Sequence, residues 1–504
     1  MQPLAPGLTG LLIGALGLAP AIAGEASVAA WLERHRERPG AVRAFVQRLP
    51  KGADLHSHLS GAVYAERYLE WAAADGFCVD PVKPALVAPG DCGRSSALVP
   101  ASELLQQPAL HNRLIDAWST RNLAFAGRSG HDQFFEAFGG FDLIASSPSR
   151  QDDMVAEVAN RAAAQHIHHL ELMLTVQGRA VRQLGAAVGW NGDAERTRQR
   201  LLAAGLLDLV EQGRQQIDTL TRDTARTLGC GTPAAQPGCG VTVRFLQQSQ
   251  RTRPPAEVFA QLVYAFELAR ASSSVVGINL VAPEDHPQAL RDYTLQMRML
   301  QALKARSPET RVALHAGELR LGLVPPERLR YHIRQAVELA GAERIGHGVA
   351  VMTEEEPFQL LREMARRGVL VEICLTSNDV ILDVKGPDHP LQEYRKAGVP
   401  VALASDDEGI SRIDLSHEFM LAVQRHGLGY RDLKQLARNS LQHSFLPGAS
   451  LWSSACAGEP LGAASPSAAC SRVLAGSERA RAQWRLEAEL ARFERLPDFQ
   501  GADP

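Results

Sequence analysis

The sequence predicts an α/β protein, a (β/α)8 TIM barrel with helical and disulfide-bridged loop insertions. Eight short apolar segments of strand type recur along the chain, and helical segments separate most of them. This alternation is typical of a parallel sheet, and eight units are enough to close a barrel. An open doubly wound sheet is the alternative, but the glycine-rich first turn with which such sheets bind their ligand is missing.

The polar motifs follow the same pattern, because they fall at or just beyond the carboxyl ends of strands one, five, six and eight. In a barrel these ends converge on one mouth, where active sites lie. The predicted strands are 53–59, 168–175, 241–247, 275–281, 311–315, 344–348, 369–375 and 399–404. The predicted helices are 26–47, 64–74, 116–125, 131–144, 152–165, 193–228, 255–271, 290–305, 326–340, 356–367, 391–397 and 478–495.

Length and composition are those of an ordinary soluble protein that can bury a large core. The chain has 504 residues, of which 45% are hydrophobic and 22% charged, and its net charge is -3. This composition has no basic excess that would indicate nucleic acid or a membrane surface as a partner. The sequence contains no P-loop, no dinucleotide-binding fingerprint and no internal repeat.

The first residues resemble a secretory signal peptide rather than part of the fold. Residues 8–19 are apolar, and Ala21-Ile22-Ala23 before Gly24 is an A-x-A cleavage pattern. An uncleaved anchor or an apolar tail is the alternative, but the run is short for a membrane span. We therefore expect residues 1–23 to be removed and the protein to be exported, periplasmic or secreted, without membrane attachment. The remainder, 24–504, is predicted as one barrel domain with insertions near 78–110 and 228–240 and a C-terminal extension, 447–504.

The cysteines favour the same compartment. Cys374 lies within an apolar strand and is expected as a buried thiol. The other six fall into local pairs that flank Gly-, Pro- or Ser-rich loops, as expected for short bridges in an oxidising environment. Spacing does not fix connectivity, so three pairings are hypotheses: Cys78 with Cys92, Cys230 with Cys239, and Cys456 with Cys470. No C-x-x-C occurs, so a cysteine-ligated zinc site is not expected.

Two histidines on the first strand form the centre of the predicted site. Side chains of a strand alternate between faces, so His56 and His58 point the same way and can bind one metal ion. Among 16 histidines such a pair could arise by chance. Three later strand-like runs, however, end in residues that a zinc site needs: His315, His347 and the pair Asp406-Asp407.

Three imidazoles and one carboxylate suit a single zinc ion with one position left for water. The expected ligands are His56, His58, His315 and Asp406. Zinc lowers the pKa of bound water towards neutrality. His347 is then available to take or orient the water proton.

Alone, each of these residues has an ordinary structural explanation. A single histidine such as His315 or His347 is more often an ordinary buried side chain, and Glu318 alone would be a solvated loop acid. Asp406-Asp407 alone would more often cap a helix N-terminus. Their joint position at strand ends favours a metal site.

Six runs together resemble the adenosine deaminase family, in the expected order and over residues 48–446. They are LPKGADLHSHLSGA, VALHAGE, RIGHGV, EICLTSN, HPLQEYRKAGVPVALASDD and NSLQHSFL. The predicted leader, the cysteine-flanked insertions and the run NLVAPED are more similar to the secreted adenosine-deaminase-related growth factors and their bacterial exported relatives.

The resemblance implies zinc-dependent hydrolytic deamination of adenosine and 2′-deoxyadenosine, with one Zn²⁺ per chain and a small purine nucleoside as partner. It implies that Glu318 protonates N1 while hydroxide adds at C6. Asp407 would hold N7 and the hydroxide. It also places the helix of Phe134, Phe135 and Phe138 over the pocket, although their spacing by itself indicates core packing.

Three positions depart from the family pattern. Ser60 replaces an acidic residue that contacts the ribose 5′-hydroxyl, and it carries no charge. Ala282-Pro283 stands where the family has Gly-Asp or Gly-His. The amide of that glycine contacts N3 of the purine. Asn279 stands where an aspartate is usual. Substrate preference, above all at the 5′ end, is therefore open.

Three other functions compete with this interpretation. One is deamination of another aminopurine or of a 5′-modified adenosine. Another is a two-metal amidohydrolase, which often needs a bridging lysine on strand four, but residues 275–285 contain none. The last is a secreted, non-catalytic signalling or binding protein, for which the complete set of site residues would be unnecessary. Ser377-Asn378 is expected as a structural turn in the site wall.

Overall fold

Eight parallel strands close into a barrel. The structure, a computed structural model, describes residues 20–459 and 466–499, with side chains from residue 24 onward. Two runs of parallel pairing, β1 to β4 and β5 to β8, are joined by bridges between Ser57 and Asp406 and between Ile278 and Val312. The predicted barrel is thus confirmed. Its strands are β1 (Gly52–His58), β2 (Ile167–Leu174), β3 (Thr242–Gln250), β4 (Val275–Val281), β5 (Ala313–Ala316), β6 (Arg344–His347), β7 (Leu370–Ile373) and β8 (Val401–Leu403).

The strands contain nearly continuous apolar runs because both of their faces are covered. Strand β2 is buried along its whole length, as are β5 to β8. One face packs into the barrel interior and the other against the surrounding helices. The few polar residues in these strands therefore stand out, and each of them needs a partner inside the protein.

Helices surround the barrel and extend it at both ends. Their bounds are α1 (Pro20–His35), α2 (Pro39–Arg48), α3 (Leu59–Ala62), α4 (Ala65–Ala74), α5 (Pro108–Ala117), α6 (Gly130–Ala145), α7 (Gln151–Ala164), α8 (Gly178–Val188), α9 (Ala194–Ala203), α10 (Leu206–Thr227), α11 (Pro255–Ala271), α12 (Pro287–Arg306), α13 (His332–Glu338), α14 (Pro357–Arg367), α15 (Leu375–Leu382), α16 (Leu391–Lys396), α17 (Glu408–Ser411), α18 (Leu415–His426), α19 (Tyr430–Gln442), α20 (Ala468–Gly476) and α21 (Glu478–Phe493).

Four helix predictions were wrong in their extent. The helix predicted over 326–340 is limited to α13, which a separate 3₁₀ turn at Pro326–Leu329 precedes. The helix predicted over 26–47 is two helices, because Pro39 has no N–H to donate and starts α2. The stretch 193–228 is divided between α9 and α10 by Gly205, whose φ is +96°. The helix predicted over 116–125 is wrong: α5 ends at Ala117, and Asn122 adopts a left-handed φ of +61°.

The insertion after α4 is more regular than predicted. Instead of a loop-rich segment, it contains a small antiparallel sheet of three short strands, Cys78–Asp80, Ala85–Val87 and Val99–Pro100. All three predicted cysteine pairings are present as disulfide bonds, and the Cys374 thiol is free and buried.

The predicted leader lies outside the described residues except for its last four, which begin α1. Within the described part of the chain, no helix is both long and apolar enough to cross a membrane.

The disulfides give a direct prediction for the purified protein. Unfolding in denaturant without reductant should expose one titratable thiol per chain, that of Cys374, because the other six cysteines are bonded. The measurement is a colorimetric thiol count, with a fully reduced sample as control. Seven thiols in the unreduced sample would contradict the pairing.

Candidate metal centre and active site

Four side chains from three strand ends converge on one point at the carboxyl end of the barrel. The Nε2 atom of His315 lies 3.1 Å from that of His56 and 3.2 Å from that of His58. The Oδ1 atom of Asp406 lies 3.4 Å and 3.3 Å from the same two histidine nitrogens. The structure thus brings together the four residues that the sequence predicted as a ligand set.

Closure of the barrel produces this convergence. Strands β1 and β8 meet at the site, where the His58 N–H donates to the Asp406 carbonyl at 3.0 Å and the Asp406 N–H donates to the His56 carbonyl at 2.9 Å. On the other side, Ala316 of β5 pairs with His347 of β6. Residues about 350 positions apart in sequence are therefore placed in register by main-chain hydrogen bonds.

Each of the three imidazoles is held by an acceptor behind it. Nδ1 of His56 donates to Oε2 of Glu372 at 2.7 Å, and Nδ1 of His315 donates to Oδ1 of Asn279 at 2.7 Å. Nδ1 of His58 faces Oε1 of Gln248 at 3.3 Å. A proton kept on Nδ1 leaves the Nε2 lone pair free for a metal and fixes the ring orientation. Asn279 does this without the charge of the family's usual aspartate.

The donor set fits a zinc ion. Donors bound to one zinc ion at about 2.0–2.1 Å, with a further position kept for water, would lie about 2.9–3.6 Å apart, and four of the donor pairs lie at 3.1–3.4 Å. Burial, followed by the charges of neighbouring histidines, holds the pKa of His315 well below its usual value. Its imidazole is therefore neutral, the form that binds metal.

A chain of buried charged residues holds His56 on its Nδ1 side. Nε of Arg344 forms an ion pair with the other carboxylate oxygen of Glu372 at 2.6 Å, and NH1 of Arg344 forms an ion pair with Glu171 at 2.7 Å. All three side chains are fully buried. Removing one member would leave its neighbour charged and unpaired, which costs about 3–5 kcal/mol in buried pairs. The network therefore holds Glu372, and through it the His56 ring, in one position.

Glu318 lies beside the cluster, and its backbone is clamped by a second buried carboxylate. The N–H groups of Gly317 and Glu318 donate to the two oxygens of Glu284 at 3.1 Å and 2.8 Å, and Nδ1 of His332 donates to Glu284 at 2.5 Å. Burial, followed by the charge of Asp406, raises the pKa of Glu318 well above its usual value. The carboxyl is thus favoured in its protonated, proton-donating form.

A directed hydrogen-bond chain fixes the tautomer of His347. The Leu391 N–H can only donate, and it does so to Nδ1 of His389 at 3.2 Å. Nε2 of His389 therefore carries the hydrogen and donates to Oδ1 of Asn378 at 3.0 Å, so the Asn378 amide N–H donates to Nδ1 of His347 at 3.0 Å. Burial lowers the pKa of both histidines to about 3, so both are neutral. His347 consequently presents Nε2–H, a donor, 3.7 Å from Glu318.

The structural turn predicted at Ser377-Asn378 is wrong, because both residues lie within helix α15 and both contact site residues. Asn378 belongs to the chain behind His347, and Ser377 Oγ donates to Oδ2 of Asp406 at 2.7 Å. Gly61 also contributes to the site, because a Cβ at that position would lie 1.5 Å from Oδ1 of Asp407. Only glycine leaves room for the Asp407 carboxylate.

Unusual backbone conformations concentrate at this site. Ala282, His347 and Asp406 follow or end three different strands with φ values of +81°, +65° and +59°. A non-glycine residue in this region costs about 1 kcal/mol or more, and such residues persist where the surroundings impose them. Ala282, at the position where the resemblance places a glycine, adopts this left-handed conformation with a methyl side chain.

The cluster opens into a cavity of about 980 Å³. Phe134, Phe135 and Phe138 contribute to its lining, and Phe134 is also part of the hydrophobic core. Core packing and pocket lining are thus both observed for the helix α6. The cavity is also lined by the remaining predicted site residues Ser60, Ala282, His58, His315, Glu318, His347, Asp406 and Asp407.

The sequence missed the side chains that support the site. Glu372 and Arg344 could have been noticed, because a charge within an apolar central strand requires a partner. Glu284 and Asn378 gave no comparable signal, because each lies in a polar segment where such a residue is ordinary.

Fold and site define a (β/α)8 barrel whose carboxyl end carries a candidate metal centre. A family model described as adenosine deaminase matches residues 109–450, more than half of the chain. The chain therefore belongs to the adenosine deaminase family, a family of metal-dependent deaminases. The matched region begins after His56 and His58. The closeness to the secreted growth factors stays a prediction.

Individual relatives are more distant. An adenosine deaminase of Clostridium perfringens is 32% identical over 184 residues, covering 36% of this chain and 51% of the relative. An adenine deaminase of Rhizobium rhizogenes is 28% identical over 221 residues, covering 44% and 62%. The chain spans about half the length of the curated relatives it matches. An amidohydrolase of Burkholderia ambifaria, crystallised with bound Zn, superposes with a TM-score of 0.50 at 20% identity over 80% of this chain and 88% of that chain, a similarity of fold alone.

The hydrogen-bond chain behind His347 can be tested by substituting Asn378→Asp. A carboxylate can only accept, so it should draw the hydrogen onto Nδ1 of His347 and remove it from Nε2. We expect kcat for the deamination proposed below to fall about 100-fold, within the range for a lost hydrogen-bond donor in an active site, while the metal content stays unchanged. Asn160→Asp on the surface is the control. A kcat equal to that of the unmodified protein would contradict the assigned tautomer.

Proposed function

We propose that the protein catalyses zinc-dependent hydrolytic deamination of adenosine and 2′-deoxyadenosine to inosine or deoxyinosine and ammonia. The observation that carries the proposal is the position of Glu318, His347 and Asp407 on the same cavity as the four-donor cluster. A metal site alone would serve many reactions. An acid and two further polar groups beside it are what addition of water to a purine requires.

One zinc ion would be held by His56, His58, His315 and Asp406. When bound, it supplies Lewis acidity that lowers the pKa of water towards neutrality. The chain's own part is to hold the three imidazoles in fixed orientations. Glu372, Asn279 and Gln248 hold the rings by their Nδ1 atoms.

Proton delivery falls to Glu318. Its protonated carboxyl would donate to N1 of the purine while the water oxygen bonds to C6. The C6–N6 bond then breaks and ammonia leaves. The oxygen of water stays on the ring. One of its two hydrogens restores the proton of Glu318 and the other leaves with ammonia, so that the atoms balance.

His347 and Asp407 would hold the other reacting groups. The Nε2–H of His347 donates, so it orients the attacking oxygen rather than removing its proton. Asp407 is fully buried, and its Oδ1 atom has no hydrogen-bond partner among the described residues. Burial, followed by the charge of Asp406, raises the pKa of Asp407 well above its usual value. Its protonated carboxyl would donate to N7 of the purine, and it could accept from the attacking water.

Deamination of another aminopurine, or of a 5′-modified adenosine, is the second candidate. It is favoured by the uncharged Ser60 where the family has an acid and by the size of the cavity, about 980 Å³, at the upper end for small-molecule sites. A panel of aminopurine bases, nucleosides and 5′-substituted nucleosides, assayed for ammonia release, separates the candidates. A non-catalytic binding protein would release ammonia from none of them.

We also propose that the chain is exported, with residues 1–23 as its leader, 24–504 as one barrel domain and 447–504 as an extension that packs on it. Three disulfides support export, because such bonds persist in oxidising compartments. N-terminal sequencing of protein recovered from the culture or periplasm tests this proposal.

Removal of the metal tests the ligand set. Substituting His56→Ala deletes one donor, so zinc measured by elemental analysis should fall well below one ion per chain, and adenosine conversion in an ultraviolet assay should be lost. A chelator should abolish activity in the unmodified protein, and added zinc should restore it. His111→Ala, on helix α5 and outside the metal-binding cluster, is the control. Full zinc occupancy in the His56→Ala protein would contradict the ligand role.

Glu318→Gln tests the acid separately from the metal. The amide keeps the size of the side chain but does not supply the proton, so zinc should remain bound while kcat falls about 100-fold to 10,000-fold. Glu327→Gln, on the exposed surface, should match the unmodified protein. Near-normal turnover by Glu318→Gln would exclude Glu318 as the proton donor.

A further inference from the structure

One wall of the active-site cavity carries three arginines that take no part in the chemistry proposed above. Arg179 lies in the first turn of α8, which follows strand β2, and Arg182 begins the second turn, while Arg253 follows strand β3. All three line the same cavity as the metal-binding cluster. Their guanidinium groups are thus at the carboxyl end of the barrel, where a substrate would lie.

None of the three is neutralised by the protein. Arg253 donates from Nε to Oε1 of Gln250 at 3.0 Å, a neutral partner. Among the residues that the structure describes, no carboxylate forms an ion pair with any of the three; Glu257 acts on Arg182 only at longer range. Burial, followed by the charge of Arg253, lowers the pKa of Arg182. Arg182 is half-buried and Arg179 and Arg253 are exposed, so the three positive charges repel one another where the cavity opens to solvent.

The start of α8 adds to this excess of positive charge. Its first turn contains no acidic residue, and its N-cap residue, Gln177, makes no side-chain hydrogen bond to the helix. Free N–H groups and the dipole make a helix N-terminus favourable for anions and unfavourable for cations. Two arginines at this end are an electrostatic cost that a bound anion would relieve.

The acids on the cavity wall do not offset these charges. Glu318, Asp406 and Asp407 belong to the catalytic cluster, and Asp142 lies exposed on α6. The family's acidic residue near the ribose 5′-hydroxyl is replaced by the uncharged Ser60 in this chain. The non-catalytic part of the cavity is therefore cationic.

We propose that the preferred substrate is a 6-aminopurine nucleoside with an anionic group, a phosphate or a carboxylate, at its 5′ end. This inference rests on the proposed deamination. Arg182 and Arg253 bind the anion, with Arg179 adding positive charge at the cavity mouth. Planar guanidinium groups match both oxyanions through paired, charge-assisted hydrogen bonds.

The first measurement compares kcat/KM of the zinc-loaded protein for adenosine, adenosine 5′-monophosphate and adenosine 5′-carboxylic acid. At least one of the two anions should exceed adenosine by tenfold or more, and its advantage should shrink as salt is added. Mass spectrometry must find inosine 5′-monophosphate, or the corresponding carboxylate, as the product, since prior loss of phosphate would mimic turnover of adenosine.

The second measurement removes the charges. The double substitution Arg182→Gln with Arg253→Gln should lower the ratio of kcat/KM for the preferred anion to that for adenosine by tenfold to a hundredfold. In the Glu318→Gln background, the same double substitution should weaken binding of inosine 5′-monophosphate, measured by calorimetry, relative to inosine. Arg362→Gln, an exposed arginine of α14 outside the cavity, should leave both ratios unchanged.

The outcomes are distinguishable. Preference for the phosphate or for the carboxylate supports the proposal and identifies the anion. Conversion of adenosine at least as efficiently as both anions, with ratios unaffected by the double substitution, overturns the proposal and leaves deamination in place. Failure of the zinc-loaded protein to convert any of the three overturns deamination and the inference together.

Discussion

The structure depends on three imidazole nitrogens and one carboxylate oxygen being held within hydrogen-bond distance of one another in a buried site. Nitrogen lone pairs brought to 3.1–3.2 Å repel unless a proton or a metal lies between them. The barrel imposes this proximity through the pairing of β1 with β8 and of β5 with β6, and closure of the sheet is therefore part of the site. The acceptor behind each ring turns the proximity into a defined set of donors.

Buried charges connect the barrel interior with this site. Glu171, Arg344 and Glu372 form a chain in which every charge has a partner, and the last member holds His56. Glu284 holds the segment that carries His315 and Glu318, because it accepts hydrogen bonds from the N–H groups of Gly317 and Glu318. Such groups contribute little net stability against apolar replacements. Their effect is to allow one orientation of the ligands, which the proposed reaction needs.

Much of the fold and the centre of the site could be predicted from sequence, for physical reasons. Strand alternation places His56 and His58 on one face, and apolar segments between helices mark the strands. What could not be predicted depends on contacts between distant segments: the direction of the chain through Asn378 is set by a backbone N–H at Leu391, and the room for Asp407 is set by Gly61. The division of the helices depended on single residues, Pro39 and Gly205, within otherwise helical patterns.

The central claim is that one zinc ion lies among His56, His58, His315 and Asp406. The most direct test is a crystal of the purified protein measured above and below the zinc absorption edge. The account predicts one anomalous peak per chain, about 2.0–2.2 Å from the three Nε2 atoms and from an oxygen of Asp406. No peak in a zinc-replete crystal, or a peak bound by other residues, would contradict it.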